Sequence, residues 1–164
     1  MLRLIPAPLH RLLYRVADRA RRRAFAVWKP HLRSVSVIGI SPGERLLLVR
    51  LTYGSGNWAL PGGGIKRGET PEAAARRELE EEAGCQADGL HLVGQFEEEV
   101  MGTTSTAWLF AGNLLDMPGA DGREVAEARL FPRHSLPEPL SGRTRKRLEL
   151  WREYRTKQGQ SSDS

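Results

Sequence analysis

The chain has 164 residues, a single cysteine and a formal net charge of +5. This length fits one domain with short extensions, and one cysteine excludes a disulfide within the chain. Stable disulfides are typical of proteins in oxidising compartments. A chain that cannot form an internal disulfide therefore favours a reducing compartment, and we expect a cytoplasmic protein. No apolar run in the sequence approaches the roughly 20 residues that cross a membrane as a helix.

The charge is distributed unevenly along the chain. Residues 1–33 contain nine basic residues and one acidic residue, whereas residues 34–142 contain nine basic and sixteen acidic residues. Residues 143–164 are basic again, with seven basic residues against three acidic ones. An acidic centre between basic ends suits a metal-binding core. A nucleic-acid module would show a uniformly basic face, so we expect no binding to duplex DNA.

Residues 1–32 are predicted to form a basic amphipathic helix that precedes the main domain. Leu9, Leu12, Leu13 and Val16 recur at spacings of three and four, and arginines occupy much of the other face. Three interpretations stay open. The apolar stripe packs on the domain or on the second subunit of a homodimer, the helix binds an anionic membrane surface, or the segment is an organelle transit peptide. Its alanines are small for lipid insertion, which favours packing on protein.

The sequence after this helix predicts one domain over residues 33–157 and a disordered polar tail over residues 158–164. Stretches rich in β-branched and apolar residues, separated by turn residues, predict strands. These strands cover residues 33–40, 45–51, 89–100, 103–114 and 128–131.

A helix is predicted between the second and third of these strands, over residues 71–83. Thr70 can cap its first turn, and Pro71 suits a position where no N–H is needed. Gly84 suits the left-handed residue that follows a helix end.

Three glutamates of this helix, Glu78, Glu81 and Glu82, fall on one face at about 100° per residue. Like charges this close weaken an isolated helix, and a hard divalent cation with oxygen ligands would remove that penalty. We therefore expect Mg²⁺ here, with Mn²⁺ as a substitute, and Arg77 can orient a carboxylate through a forked pair of hydrogen bonds. The alternative is a solvated acidic face without a ligand.

A final helix is predicted after Ser141, which can cap it. Leu148, Trp151 and Tyr154 share one side, which we expect to pack on the core. The other side is predicted to face solvent and carries the basic residues Arg143, Arg145, Lys146, Arg147 and Arg152.

The segment that leads into the glutamate-rich helix supplies further candidates. Gly62, Gly63 and Gly64 let the backbone approach a phosphate or a metal closely. Trp58 can stack on a base, although an aromatic residue here is more often part of a core. From Gly63 to Cys85 the chain reads G-x5-E-x7-R-E-L-x-E-E-x-G-C. This spacing resembles the signature of the Nudix hydrolases, with Cys85 in place of the usual aliphatic residue.

The resemblance covers about residues 33–155 and implies an α/β fold, a Nudix-type α/β/α sandwich with a mixed sheet between helices. It also implies Mg²⁺-dependent hydrolysis of a diphosphate linkage in a nucleoside diphosphate that is linked to another moiety. In this reaction a metal-activated water attacks phosphorus.

The same resemblance assigns roles to single residues. The metal ligands would be Glu78, Glu81, Glu82 and the backbone carbonyl of Gly62. A glutamate shortly before the last strand often reaches the metals in this family, and Glu124 holds that place with Glu127 as the fallback. Either Glu81 or Glu124 would take the proton from the attacking water. Arg77 would assist catalysis, and the substrate would contact Trp58, Gly63 and Gly64.

The substrate moiety stays open. Val100 and Met101 stand where the ADP-ribose-cleaving subgroup has a proline, and the long motif of the NADH-cleaving subgroup is absent. Oxidised nucleotides, dinucleoside polyphosphates and capped RNA ends remain as candidates. One alternative is a catalytically silent nucleotide-binding or regulatory module of the same fold. A prenyl diphosphate isomerase would need a catalytic cysteine, and Cys85 at the helix end is not placed for that role.

Overall fold

The structure, a computed structural model, describes residues 31–52, 55–100, 103–120 and 125–161. The predicted amphipathic helix lies, up to residue 30, outside the described residues, and so does Glu124. Within the described part of the chain, no helix is both long enough and apolar enough to cross a membrane.

Six strands and two helices follow one another in the described ranges. They are β1 (Leu32–Ile40), β2 (Arg45–Leu51), β3 (Trp58–Ala59), α1 (Pro71–Ala83), β4 (Ala87–Val100), β5 (Thr103–Leu114), β6 (Val125–Pro132) and α2 (Gly142–Ser161). The five predicted strands and both predicted helices of the domain are confirmed. The last strand is longer than predicted because it pairs along β2 from Val125 onward, whereas β3 is a two-residue strand that the sequence pattern did not indicate.

The strands form one mixed sheet in the order β3-β2-β1-β5-β4, and β6 also pairs with β2. β1 runs parallel to β5, whereas β4 and β5 are antiparallel. Strands β1 and β2 are antiparallel, and their register places Ile40 opposite Leu46. Further along β1 the glycine-rich segment lies beside it, since Val35 N donates to Gly63 O at 2.9 Å. A gap therefore opens between β1 and β2, and it forms part of the candidate site.

Two hydrophobic cores lie on the two faces of the sheet, because successive strand residues point to opposite faces. The core under α1 includes Val37, Leu79 and Phe110. The core under α2 includes Leu109 and Trp151. One helix therefore covers each face, and the expected α/β/α sandwich with a mixed sheet is confirmed.

Helix α2 extends further than the sequence predicts. It continues through Ser161, so the expected disordered tail, from Gln158 on, begins inside the helix. Gln158 and Gln160 in this stretch favour helix, and no proline stops it. Trp151 is buried against the sheet, and the ring of Tyr154 stacks on His91 with 5.9 Å between centroids.

Candidate active site

Helix α1 is held in a defined rotation by its caps and its apolar side. Thr70 Oγ1 accepts a hydrogen bond from Ala73 N at 3.2 Å, and Gly84 ends the helix in the left-handed region with φ of 63°. Leu79 and Ala83 are buried in the core, and Cys85 is fully buried just past the helix end. The caps are thus as predicted, and together with these buried residues they turn the glutamate side of α1 towards the glycine-rich segment.

Arg77 connects the acidic side chains of this region. Its guanidinium forms a bidentate pair with Glu69, with Nε to Oε1 at 2.8 Å and Nη2 to Oε2 at 3.0 Å. Nη1 donates to Glu78 Oε1 at 2.7 Å and to Glu81 Oε2 at 3.0 Å. Nη2 also donates to the carbonyl of Gly64 at 2.9 Å. The forked orientation expected of Arg77 is present, and its partner in the fork is Glu69.

These contacts shift the pKa values of the groups in opposite directions. The hydrogen bonds from Arg77 lower the pKa of Glu69 from 4.5 to about 2, and those to Glu69 raise the pKa of Arg77. Burial raises the pKa of Glu78, and the hydrogen bond from Arg77 only partly opposes that effect. Burial therefore makes an ionised Glu78 unfavourable, so a nearby cation would stabilise it.

Two glycines of the turn leave no room for a side chain. A Cβ on Gly62 would lie 2.2 Å from the carbonyl oxygen of Val35, and one on Gly63 would lie 2.5 Å from Glu78 Oε1. The backbone N–H of Gly62 donates to Glu82 Oε2 at 2.9 Å. The absence of side chains thus lets the backbone of the turn contact the carboxylates of α1 directly.

The donor set suits a hard divalent cation. Glu78 and Glu82 are about nine-tenths buried, whereas Glu81 is exposed. Arg77 Nη1 contacts both Glu78 and Glu81, so oxygens of these two carboxylates are close enough to share one positive charge. Among the described residues, however, no three acidic, histidine or cysteine side chains already converge on one point. The carboxylates instead contact Arg77 and the N–H of Gly62. A cation that binds here would compete with these two donors for the carboxylate oxygens.

A recess of about 380 Å³ opens beside Gly62, Gly63 and Glu82. It lies in the gap between β1 and β2 and reaches the start of α2. Its apolar walls include Val49 and Leu60, and its polar lining comprises Ser34, Ser36, Ser55, Asn57, Glu82, Ser141, Arg143, Thr144 and Arg147.

Arg147 in this recess overturns one prediction, since it was expected on the solvent side of α2. It is only 5% exposed. Its Nη1 donates to Ser36 Oγ at 2.8 Å and its Nη2 to Glu98 Oε1 at 2.8 Å. Burial lowers the pKa of Arg147 to about 10, so the side chain stays charged at neutral pH. The prediction was wrong because both partners come from strands far away in the sequence.

Two other predicted residues, Trp58 and Glu127, are not brought to this site. Trp58 is buried in the core, edge-on to Phe131 with 4.9 Å between ring centroids, and it does not line the recess. This geometry fits the prediction that Trp58 is a core residue, and it does not fit the alternative that Trp58 stacks on a base of the substrate. Glu127 forms ion pairs with Arg50 and Arg129 on the sheet, and Glu124 lies outside the described residues.

A family model for the NUDIX domain matches residues 30–151, which is most of the chain. The chain therefore belongs to the Nudix hydrolase family, as the signature around α1 indicated.

Relatives within this family have different substrates in their names. Over 69 residues the chain is 44% identical to an oxidized purine nucleoside triphosphate hydrolase of Danio rerio, covering 42% of this chain and 44% of that protein. Over 77 residues it is 43% identical to an RNA pyrophosphohydrolase of Saccharophagus degradans, covering 46% and 39%. The matched stretch thus spans less than half the length of each relative.

Solved structures share the whole fold. A MutT NUDIX hydrolase from Burkholderia pseudomallei is 25% identical with a TM-score of 0.66, and the match covers 74% of this chain and 98% of that one. The NUDIX domain of Shewanella oneidensis NrtR, solved with ADP ribose, has a TM-score of 0.68 at 19% identity, over 82% and 96% of the two chains. At that identity the second match bears on the fold alone.

Proposed function

We propose that this protein is a Mg²⁺-dependent pyrophosphohydrolase that cleaves a diphosphate linkage in a nucleotide derivative. The observation that carries the proposal is the contact between α1 and the glycine turn, where Gly62 N donates to Glu82 Oε2 and Glu78 fills the space beside Gly63. Carboxylates of α1 and backbone groups of the turn meet there beside a recess.

The proposed ligands of the metal are Glu78, Glu81, Glu82 and the carbonyl of Gly62. Bound Mg²⁺ would neutralise charge on the diphosphate oxygens and lower the pKa of a coordinated water. Mn²⁺ has a similar preference for oxygen ligands and is expected to substitute.

The side chains around the proposed metal site have further roles in the reaction. Glu81 is exposed and is the described carboxylate that we propose as the general base, with Glu124 as the alternative. Arg77 orients Glu78 and Glu81 through Nη1 while Glu69 fixes the guanidinium from the other side. The carbonyl of Gly64 accepts from the same guanidinium, which holds the turn against α1.

The recess supports a nucleotide as the substrate. A volume of about 380 Å³ falls within the range of roughly 300–1,000 Å³ that is typical of small-molecule sites. The recess adjoins Gly62 and Gly63, so a group bound in it could place an attached diphosphate beside the carboxylates. The names of the relatives point in the same direction, since a nucleoside triphosphate hydrolase and an RNA pyrophosphohydrolase both act on phosphoanhydride bonds.

The proposal is tested by incubating the purified protein with a panel of nucleotides in Mg²⁺ or Mn²⁺ and identifying the products by mass spectrometry. The panel should contain nucleoside triphosphates, oxidised nucleotides, dinucleoside polyphosphates, ADP-ribose and triphosphorylated RNA. Cleavage of at least one compound, stopped by EDTA, is the expected result. If a folded protein cleaves none of them with either metal, the proposal fails and a silent nucleotide-binding module becomes the better description.

A further inference from the structure

One strip of the sheet, on the face that carries α1, is not covered by a described helix. Helix α1 packs mainly against β1, β5 and β6, and α2 covers the other face. The edge strand β4 has exposed side chains on the α1 face, namely Leu92, Gln95, Glu97 and Glu99. The neighbouring strand β5 adds the partly buried Trp108. These five residues are called the β4–β5 strip below.

The register of β4 and β5 assigns the strip to this face. Leu92 lies opposite Phe110, which belongs to the core under α1. Gln95 lies opposite Trp108, which packs against the same core. Side chains directly opposite each other in antiparallel strands share a face, so Leu92 is an apolar side chain on the α1 face that remains exposed at the edge of the sheet.

The chain enters β1 beside this strip. Leu32, the first residue of β1, pairs with Ser105 of β5. His31 Nε2 lies 2.8 Å from Thr106 Oγ1, and that hydroxyl donates to Glu97 Oε1 at 2.7 Å. The hydroxyl has a single proton, so His31 is the donor to Thr106. The residue that precedes β1 is therefore bonded to the strip.

Residues 1–30 are long enough to cover the strip and need no linker to reach it. Their amphipathic pattern runs from Leu9 to Trp28, and the three residues from there to His31 span at most about 11 Å. A helix over this pattern would be about 30 Å long, and β4 from Leu92 to Glu99 extends over roughly 25 Å. The two lengths match if the helix runs antiparallel to β1.

The charges of the two surfaces are opposite. Residues 1–33 contain nine basic residues and one acidic residue, whereas the strip contributes Glu97 and Glu99. At about 100° per residue, Arg19 and Arg23 border the apolar stripe of the segment. An antiparallel helix would bring them to the glutamate end of the strip and Leu13 towards Leu92. The exposed side of α2 is basic and would repel the segment.

We propose that residues 1–30 form a further helix of the domain, which packs on the β4–β5 strip of the same molecule. Its leucine side chains would cover Leu92 and Trp108, and its arginines would lie beside Glu97 and Glu99. This helix would shield the edge strand β4 from pairing with other chains. The inference does not rest on the proposed hydrolysis, because none of the five strip residues lines the recess.

The test measures how fast a cysteine introduced at Leu92 reacts with the thiol reagent DTNB in the full-length protein. Leu92→Cys should react at least about tenfold more slowly than Met117→Cys, because the segment must open before the reagent can enter. The exposed fractions of 47% and 80% for the two side chains cannot account for such a difference. Cys85 is buried, and the unmodified protein gives its background rate. Equal rates at the two positions would overturn the inference.

Two double variants of the Leu92→Cys protein test which side of the segment makes the contact. Leu13→Gln with Val16→Gln disrupts the apolar stripe and should raise the reaction rate at least about fivefold. Arg11→Gln with Arg22→Gln changes the opposite side of the predicted helix and should leave the rate unchanged. A rate that stays low in the stripe variant, or that rises equally in both variants, would contradict the proposed packing.

A second pair of variants tests the charges. Glu99→Lys should raise the reaction rate of Leu92→Cys about threefold, because a cation then faces the basic segment. Glu153→Lys is the matched control, since Glu153 is an exposed glutamate on α2. The same change in both variants, or no change in either, would contradict the charge pairing.

Other occupants of the strip would give different results. If a second copy of the chain covered it, the protection of Leu92→Cys would disappear on dilution from about 100 μM to about 1 μM. If the segment instead bound a lipid surface, Leu92→Cys would react rapidly without lipid, and the protein would co-sediment with phosphatidylglycerol vesicles. Either result would overturn the inference, which predicts protection that is independent of protein concentration and present without lipid.

Discussion

Two buried or partly buried arginines organise the candidate site, and they differ in how fully their donors are used. Arg77 contacts three carboxylates and a carbonyl, all between Gly64 and Glu81 in the sequence. Arg147 is more deeply buried, contacts Ser36 and Glu98, and retains an Nε–H without a partner. An arginine whose donors are nearly all paired with carboxylates is suited to holding other protein groups in place.

The two arginines also belong to different parts of the fold. The groups around Arg77 lie on α1 and the glycine turn, next to the place proposed for hydrolysis. Arg147 lies on α2, and its partners Ser36 and Glu98 lie on β1 and β4. Substitutions near Arg77 should therefore reduce the rate for every substrate.

The largest expected effect comes from Glu82→Gln, and likewise from Glu78→Gln. Each variant keeps the size of the side chain and removes a charged ligand, so turnover should fall about 100-fold or more, or about 2.7 kcal/mol. Folding should survive, because removing like-charge repulsion on α1 does not weaken the helix.

Glu80→Gln is the matched control, since Glu80 lies on the exposed side of the same helix. Steady-state kinetics of the three variants provide the measurement. Near-normal turnover in Glu82→Gln or Glu78→Gln would remove that residue from the site, and a misfolded variant would give it a structural role.

Arg77→Lys should have the next largest effect. Lysine keeps the charge but cannot form the bidentate pair with Glu69 while also bridging Glu78 and Glu81. We expect turnover to fall about tenfold and the free energy of unfolding to fall by about 1.5–3 kcal/mol, the usual value for hydrogen bonds to charged groups. Arg76→Lys is the control, because Arg76 forms an exposed pair with Glu72. Equal losses in both variants, measured by urea unfolding, would contradict the special position of Arg77.

The contrast between the two arginines also explains what the sequence could predict. The caps and the shared glutamate face of α1 depend on residues close together in the chain, so periodicity and cap preferences were sufficient to predict them. Arg147 was placed on the solvent side because its partners are 111 and 49 residues away, on β1 and β4. A local sequence pattern does not show which residues of distant strands will contact a helix.

The bidentate pair between Arg77 and Glu69 is a second contact that the sequence did not predict, although both residues belong to the signature. The sequence indicated that Arg77 orients a carboxylate but did not identify Glu69, eight residues earlier, as its bidentate partner. That pairing depends on how the turn before Thr70 folds back against α1. Trp58 was ambiguous for a similar reason, since only the packing of Phe131 from β6 against it distinguishes a core residue from an exposed one.

A smaller effect should appear in the pH dependence of stability. Arg77 lowers the pKa of Glu69 to about 2 in the folded protein, below its ordinary value of 4.5. The stabilisation by this ionised group is therefore present above about pH 5 and is lost as the pH falls towards 2. The melting temperature should decline less between pH 5 and pH 3 in Glu69→Gln than in the wild type. The same decline in both proteins would show that the pair does not contribute.

The smallest expected effect on activity is that of deleting residues 1–30. The proposed carboxylates and the recess lie within residues 34–147, so turnover should stay within a few-fold of the full chain. We expect changes instead in association state, solubility or binding to anionic liposomes, read by light scattering and co-sedimentation. Loss of turnover in a truncated protein that remains folded would place the N-terminal segment in the active site.

The most direct test of the proposed hydrolytic site is the dependence of turnover on Mg²⁺ concentration, measured for the wild type, Glu82→Gln and Glu80→Gln. Wild-type turnover should be absent in EDTA and rise to saturation with Mg²⁺. Glu82→Gln should need at least about tenfold more Mg²⁺ for half-saturation, because one charged ligand is missing, and Glu80→Gln should match the wild type. Turnover that persists in EDTA, or the same Mg²⁺ dependence in all three proteins, would contradict a metal-dependent site on this face of α1.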